Sequence, residues 1–196
     1  MKKKKTGVWV FGAKGGLATT MMVGARAIAG RLTSSTGLVT DREELRAMGL
    51  VEIEDLVFGG HDIRSISLYD SAYEIYRETG SINFEILHKL EAEVRLMEEE
   101  IRPGACINSG AAVEKIADRD YALQGSSLRD VVRQIRNDIK AFREKHALKR
   151  IVAINLASTE PLLDMVPGHE NLEKLELLLD ENQGNRVRAS MLYAYA

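Results

Sequence analysis

The residues with the clearest chemical potential form a glycine-rich turn near the start of the chain. Gly12, Gly15 and Gly16 follow the short apolar run at residues 8–11, and apolar residues recur at helical spacing from Met21 onward. Glycine lets a backbone turn sharply and lets a phosphate approach its N–H groups. A helix that begins directly after such a turn adds the positive end of its dipole. The pattern therefore predicts a phosphate-binding loop of the dinucleotide type.

The turn departs from the usual dinucleotide pattern in two ways. Its small residues fall at Gly12, Gly15 and Ala18, and Lys14 stands where a second glycine is common. An acidic residue is also expected about 20 positions after the glycines, but residues 31–36 contain none. From the pattern alone, a phosphate cradle and a glycine turn that binds nothing both remain open.

Asp62 is the candidate for the missing acid. It follows the apolar run at residues 55–58 and two glycines. At the end of a strand its carboxylate is placed to accept hydrogen bonds from a ribose diol, and it would repel the 2′-phosphate that distinguishes NADP from NAD. The alternative is that Asp62 caps a helix that begins near Arg64.

Polar residues follow two further predicted strands. Asn108 and Ser109 come after residues 105–107, which we interpret as a brief strand, although an Asn-Ser-Gly turn explains them equally well. Residues 151–157 are nearly all apolar, as is typical of a central parallel strand. Ser158 and Thr159 follow at its carboxyl end, where ligands bind in open α/β sheets.

The elements that must position these residues alternate between strand and helix. Amphipathic helices are predicted over residues 17–30, 65–79, 81–101, 128–146 and 171–182, with Ser81 and Ser127 as caps and Gly80 as a stop. This alternation predicts an α/β fold, a doubly wound parallel sheet with helices on both faces. A last apolar helix begins near Ser190 and ends without a stop signal, so we expect the sequence to be a fragment of a longer protein.

Composition narrows the class of protein. The 196 residues suit one domain over residues 1–196, and the formal net charge of −2 predicts neither a nucleic-acid partner nor a membrane partner. Cys106 is the only cysteine, so the chain forms no internal disulfide, which fits a cytoplasmic setting. The four histidines are scattered without ligand spacing, and no protein-bound metal is predicted.

Four motifs stand in the same order as in a known family. They are the glycine turn, GGHDI (59–63), NLASTEP (155–161) and SMLYAYA (190–196). With them the sequence resembles the myo-inositol-phosphate synthase family, and TGLVT (36–40) fits its prokaryotic branch. The resemblance covers nearly all of the chain from Thr6. It implies a Rossmann-like NAD-binding domain that is truncated before the substrate-binding and oligomerisation domain.

The resemblance also implies an activity for the full-length enzyme. The family converts D-glucose 6-phosphate to 1D-myo-inositol 3-phosphate by internal oxidation, aldol cyclisation and reduction, so that NAD is recycled. This reaction supplies inositol for phospholipid biosynthesis, and the full enzyme is expected to be a homo-oligomer, a tetramer by family. The family's catalytic lysines lie beyond Ala196. We therefore assign no catalytic residue and expect this chain alone to be inactive.

The resemblance assigns cofactor contacts residue by residue, with the turn on the pyrophosphate, Asp62 on the adenosine ribose and the others along the rest of the cofactor. These residues are Gly12, Ala13, Lys14, Gly15, Gly16, Leu17, Ala18, Thr19, Asp62, Asn108, Ser109, Leu156, Ala157, Ser158 and Thr159. Many family members have a more glycine- and asparagine-rich turn, which leaves the role of the Lys14 side chain open. Two alternatives remain: the cofactor domain of an NAD(P)-dependent dehydrogenase, and a non-catalytic dinucleotide-binding module.

Overall fold

A computed structural model describes residues 5–196, apart from the side chain of Arg46. Within these residues the sheet has four parallel strands in the order β3-β2-β1-β4. The strands are β1 (Thr6–Phe11), β2 (Leu56–Asp62), β3 (Ile101–Pro103) and β4 (Arg150–Asn155). Phe11, the last residue of β1, pairs with His61 on one side and with Asn155 on the other. The carboxyl ends of β1, β2 and β4 therefore lie level at one edge.

Helices connect the strands. They are α1 (Gly16–Ala29), α2 (Glu43–Arg46), α3 (Leu68–Thr79), α4 (Phe84–Lys89), α5 (Glu91–Glu98), α6 (Ala111–Ile116), α7 (Leu128–Lys145), α8 (Leu172–Asp180) and α9 (Ala189–Tyr195). Short 3-10 helices occupy Val39–Asp41, Ile53–Asp55, Pro167–His169 and Gly184–Arg186.

The sheet separates two hydrophobic cores. Because successive strand side chains point to opposite faces, Val8 and Val10 of β1 pack with α1, α3, α4 and α5. Trp9 and Phe11 pack with α7, α8 and α9 on the other face. The predicted parallel α/β sheet with helices on both faces is confirmed.

Several predicted helix ends are also confirmed by local geometry. Gly80 ends α3 in the left-handed region at φ 66°, where glycine has no steric penalty. The Ser127 hydroxyl accepts a hydrogen bond from the Asp130 N–H at 3.2 Å and begins α7. Asn171 caps α8 in the same way through the Lys174 N–H at 2.9 Å.

The region between α3 and β3 differs from the sequence prediction. The single helix predicted over residues 81–101 is two helices that meet at Leu90, and Asn83 rather than Ser81 caps the first of them. Ile101 begins β3 because the chain turns into the sheet, where the Gly60 N–H donates to the Glu100 carbonyl at 3.1 Å. The brief strand predicted at residues 105–107 was therefore placed too late.

The strand β4 differs in its position. It was predicted to be central and to run over residues 151–157, but it ends at Asn155 and, within the described residues, pairs with β1 alone. Val152 is accordingly 44% exposed. An apolar run indicates that a strand is able to be buried. Whether the strand lies at the centre or the edge of the sheet depends on the rest of the fold.

A candidate nucleotide-binding cavity

A cavity of about 520 Å³ lies at the carboxyl ends of β1, β2 and β4. Most of its walls come from four segments: the turn after β1, the end of β2, the loop after β4 and the start of α9. Ala105 and Ser109, from the loop after β3, and Val113 and Ile116 of α6 also line it. Level strand ends thus bring distant parts of the sequence to one place.

The glycine turn is crowded on one side and open on the other. Gly12 has φ 79°, and a Cβ atom there would lie 2.8 Å from the Cα of Ala157. A larger residue is therefore excluded both by backbone strain and by the loop after β4. A Cβ atom on Gly16, by contrast, would meet no heavy atom within 4 Å. The turn is open where it lines the cavity.

The hydrogen-bond donors of the turn divide into two groups. The Gly12 and Ala13 N–H groups donate to the His61 carbonyl at 2.9 and 3.0 Å, and the Gly15 N–H donates to the Gly12 carbonyl at 3.0 Å. The next three N–H groups, of Gly16, Leu17 and Ala18, have no acceptor within residues 5–196. They begin the 14-residue helix α1, whose first N–H groups have no partner within the helix and point toward its N-terminus. Gly16 lines the cavity, and all three donors lie at the positive end of the helix dipole, which favours an anion.

Asp62 ties the end of β2 to the glycine turn. It is the last residue of the strand and only 5% exposed. One carboxylate oxygen accepts from the Lys14 N–H at 2.7 Å, and the other accepts from the Arg64 N–H at 3.0 Å. The alternative that Asp62 caps a helix is wrong, because α3 begins at Leu68 and Ser67 caps it. A carboxylate has about four acceptor positions, and Asp62 lines the cavity; its contact with a ribose stays a prediction.

The side chain of Lys14 is buried beneath the turn and does not line the cavity. Its Nζ donates to the Arg64 carbonyl at 3.2 Å, lies 3.7 Å from Glu98 Oε1 and lies 4.9 Å from the centre of the Tyr121 ring. The Arg64 guanidinium donates in return to the Lys14 carbonyl. Burial lowers the pKa of Lys14, and the charge of Glu98 opposes that effect. The Lys14 side chain thus fastens the turn to the segment that follows β2 and to the end of α5.

The opposite wall is formed by the loop after β4. The Leu156 N–H extends the pairing with β1 by donating to the Phe11 carbonyl at 2.9 Å. Beyond it Ala157, Ser158 and Thr159 are exposed. The hydroxyls of Ser158 and Thr159 make no hydrogen bond within residues 5–196. They are therefore free to bind a polar ligand.

Asn108 and Ser109 are adjacent in sequence but differ in position. Ser109 is 5% exposed and lines the cavity. Asn108 has φ 47°, and its amide donates to the carbonyls of Gly184 at 2.8 Å and Val187 at 2.6 Å. The Asn108 side chain therefore holds the segment that leads into α9.

The structure brings together most of the residues that the sequence predicts to form a site. Those that line the cavity are Gly12, Gly15, Gly16, Asp62, Ser109, Leu156, Ala157, Ser158 and Thr159. Ala13, Ala18 and Thr19 are buried, and Leu17 is 68% exposed outside the lining. The side chains of these four residues do not line the cavity, and neither do those of Lys14 and Asn108. The N–H groups of Leu17 and Ala18 nevertheless have no acceptor within residues 5–196.

Sequence reasoning missed part of the lining. Glu160 accepts the N–H of Ser190 at 3.0 Å and the Ser190 hydroxyl, which joins the loop after β4 to α9. Tyr193 stacks on Phe11 with the ring centres 4.1 Å apart and donates to the Ala105 carbonyl at 3.1 Å. Ser190 and Tyr193 belong to a motif that supports the family resemblance without suggesting a role. Arg64 and Arg188 also line the cavity, and no spacing in the sequence indicates either one.

A buried histidine supports the base of the cavity. His61 lies within β2 and is fully buried. The indole N–H of Trp9 donates to His61 Nδ1 at 3.0 Å, which assigns the ring proton to Nε2, 3.1 Å from Asp138 Oδ2. Burial lowers the pKa of His61, while Asp138 opposes that effect. The histidine is held in its neutral form.

Two further findings concern the described part of the chain. Residues 5–196 contain no group of three His, Cys, Asp or Glu side chains arranged to hold a metal ion. No helix among the same residues combines the length and the apolar composition that a membrane span requires.

The strand order, the helices on both faces and the cavity at the strand ends define a Rossmann-like α/β domain. A family model for NAD-binding domains, described as Myo-inositol-1-phosphate synthase, matches residues 6–196. The chain belongs to the myo-inositol-1-phosphate synthase family and corresponds to its NAD-binding domain.

Curated relatives agree with this assignment. The chain is 28% identical to "Inositol-3-phosphate synthase 1" of Bacteroides thetaiotaomicron, in an alignment that covers 98% of this chain and 45% of that protein. It is 28% identical to the human "Inositol-3-phosphate synthase 1", over 84% of this chain and 29% of the human protein. The chain thus spans less than half the length of these relatives.

Solved structures show the same fold. The inositol-3-phosphate synthase of Caenorhabditis elegans superposes with a TM-score of 0.80 at 18% identity, over 98% of this chain and 42% of that one. A myo-inositol-1-phosphate synthase-related protein of Thermotoga maritima superposes with a TM-score of 0.63 at 21% identity, over 97% of this chain and 43% of that one.

Proposed function

We propose that this chain binds NAD as the cofactor-binding part of an inositol-3-phosphate synthase. The observation that carries the proposal is the set of three N–H groups at the start of α1, beside a cavity that Gly16 leaves open. These groups have no acceptor among the described residues 5–196. A diphosphate would supply the missing acceptors, and its charge would be stabilised by the helix dipole.

The remaining lining fits the other parts of a dinucleotide. Asp62 and the free hydroxyls of Ser158 and Thr159 offer hydrogen bonds to ribose groups. Gly12 allows the loop after β4 to approach the turn closely, which keeps the two walls together. NAD, when bound, supplies a hydride acceptor that returns the hydride within the same turnover. The chain's own residues bind and orient it.

The carboxylate of Asp62 favours NAD over NADP in this proposal. Its two oxygens are held by the N–H groups of Lys14 and Arg64, so the negative charge is fixed at the end of β2. A 2′-phosphate brought to that place would be repelled.

The complete reaction belongs to the full-length protein in this proposal. Its substrate is D-glucose 6-phosphate, its product is 1D-myo-inositol 3-phosphate, and the enzyme is an isomerase of phospholipid precursor biosynthesis. The named activity of the curated relatives supports this step. A homo-oligomeric state and a cytoplasmic location complete the proposal. No residue of this chain is assigned a catalytic role.

Calorimetric titration of the chain with NAD⁺ and NADP⁺ tests the cofactor step. We expect one NAD⁺ site per chain and weaker binding of NADP⁺, and we expect the chain to form no inositol phosphate from glucose 6-phosphate. Absence of saturable NAD⁺ binding would contradict the cofactor proposal. Tighter binding of NADP⁺ would contradict the role of Asp62. Formation of inositol phosphate by this chain would contradict the assignment of catalysis to the full-length protein.

A further inference from the structure

One charged side chain of the cavity lining has no partner in the described part of the chain. The charged side chains that line it are Asp62, Arg64, Glu160 and Arg188. Asp62 is held by the N–H groups of Lys14 and Arg64. Glu160 is held by Ser190, and the Arg64 guanidinium donates to the Lys14 carbonyl. Arg188 makes no hydrogen bond through its side chain and no ion pair within residues 5–196, and its Nε is buried without an acceptor.

The arrangement of Arg188 suits an anionic ligand. Arginine carries a permanent charge and five donors in a planar fork, and it accepts no hydrogen bonds. A buried donor without an acceptor is unfavourable. No carboxylate of the described residues pairs with Arg188, and Glu160, which also lines the cavity, is engaged by Ser190 instead. A tetrahedral anion takes two parallel hydrogen bonds from one edge of a guanidinium.

The backbone holds Arg188 firmly at this position. Val187 and Ala189 on either side are 0% and 4% exposed. The Arg188 carbonyl accepts from the N–H groups of Met191 at 3.2 Å and Leu192 at 3.3 Å. Only the side chain is therefore free to adjust to a ligand.

We propose that Arg188 binds a phosphate group in this cavity through its Nε–H and a neighbouring terminal N–H. The proposal deepens the proposed function and rests on it for the identity of the ligand. Two sources share this chemistry: the diphosphate of the dinucleotide and the phosphate monoester of a sugar phosphate. Arg188 is a binding residue here, with no part in bond making or breaking.

The test compares variants of the whole chain by calorimetric titration with three probes: inorganic pyrophosphate, NAD⁺ and glucose 6-phosphate. Arg188→Gln removes the charge and keeps much of the side-chain length, and Arg188→Lys keeps the charge without the fork. Arg186→Ala is the matched control, because Arg186 lies two residues earlier, is outside the cavity lining and makes no side-chain hydrogen bond to any described residue. Thermal unfolding of each variant checks that it folds.

We expect Arg188→Gln to lower the affinity for at least one probe by about tenfold or more, since the variant loses charge-assisted hydrogen bonds. Arg188→Lys should recover part of the loss, and Arg186→Ala should leave every affinity within about twofold of wild type. Weaker NAD⁺ and pyrophosphate binding identifies the diphosphate as the source, and weaker glucose 6-phosphate binding alone identifies the sugar phosphate.

Unchanged affinity of folded Arg188→Gln for all three probes would overturn the proposal, as would equal losses in the Arg186→Ala control. Absence of any probe binding by the wild-type chain would overturn it too. Loss of pyrophosphate binding in Arg188→Gln, together with no NAD⁺ binding by wild type, would support Arg188 as a phosphate ligand and contradict only the proposed cofactor.

Discussion

The two walls of the cavity are built in opposite ways. In the wall formed by the glycine turn and the end of β2, the charged side chains of Lys14, Asp62 and Arg64 are bonded to one another or to backbone. That wall presents backbone N–H groups to the cavity. In the wall formed by the loop after β4 and the start of α9, the side chains of Ser158, Thr159 and Arg188 have no partner among residues 5–196.

The difference indicates separate tasks for the two walls. Backbone donors that are fixed before a ligand arrives need no reorganisation to bind a diphosphate, so the first wall is suited to one invariant group. Free side chains adjust to what they bind and lose conformational entropy when they do. Substitutions in the first wall should therefore affect folding, and those in the second wall should affect binding with little change in stability.

Gly12→Ala is expected to have the largest effect on the free energy of unfolding. Its Cβ atom would lie 2.8 Å from the Cα of Ala157 at φ 79°, so we expect a loss of about 2–4 kcal/mol in the free energy of unfolding. Gly16→Ala is the matched control, because a Cβ there meets nothing within 4 Å. It should change stability by about 1 kcal/mol or less, in the stabilising direction. Urea unfolding of both proteins measures the contrast, and equal losses would contradict it.

Asp62→Asn is expected to have the next largest effect. The substitution replaces one carboxylate oxygen by an NH₂ donor that faces a backbone N–H, so a buried hydrogen bond at 2.7 or 3.0 Å is lost. We expect a loss of about 2 kcal/mol. Glu160→Gln on the other wall is the counterpart and should cost less, because Glu160 is only half-buried. A larger loss of the free energy of unfolding in Glu160→Gln than in Asp62→Asn would contradict the proposed difference between the walls.

The contribution of His61 to the free energy of unfolding should depend on pH. His61 has a pKa lowered by burial, so the unfolded state, with a histidine pKa of about 6.5, binds the proton more readily than the folded state. The free energy of unfolding should therefore fall as the pH drops below about 6.5, by at most about 1.4 kcal/mol per pH unit from this residue.

The measurement for His61 is urea unfolding of wild type and His61→Gln at a series of pH values from neutral to mildly acidic. Glutamine keeps an acceptor for Trp9 and a donor for Asp138 but does not titrate in this range. The variant should show a shallower dependence on pH. Identical slopes in the two proteins would indicate that His61 is not the titrating group.

Ser158→Ala should have the smallest effect on folding. The hydroxyl has no partner within the described residues and the residue is exposed, so stability should change by less than about 0.5 kcal/mol. NAD⁺ affinity should fall by about threefold to tenfold if the hydroxyl binds the cofactor. Calorimetry measures both wild type and variant, and unchanged affinity would remove Ser158 from the proposed site.

Periodicity, caps and the family resemblance predicted the alternating elements, the glycine turn and nine of the twenty residues that line the cavity. Those features depend on local chemistry, such as the Ser127 cap or the left-handed Gly80, and local chemistry is visible in sequence. The split at Leu90 and the edge position of β4 depend on contacts made elsewhere in the fold. The burial of Lys14 and the unpaired Nε of Arg188 are likewise consequences of tertiary packing, which no spacing encodes.

The central claim is that the free N–H groups at the start of α1 bind the diphosphate of NAD. Amide proton–nitrogen correlation spectra of the labelled chain, recorded during titration with NAD⁺, report on those groups directly. The largest saturable shifts should occur at Gly16, Leu17 and Ala18, with smaller ones at Ser158 and Thr159. Saturable shifts confined to residues outside the cavity, or no shifts at all, would contradict the account.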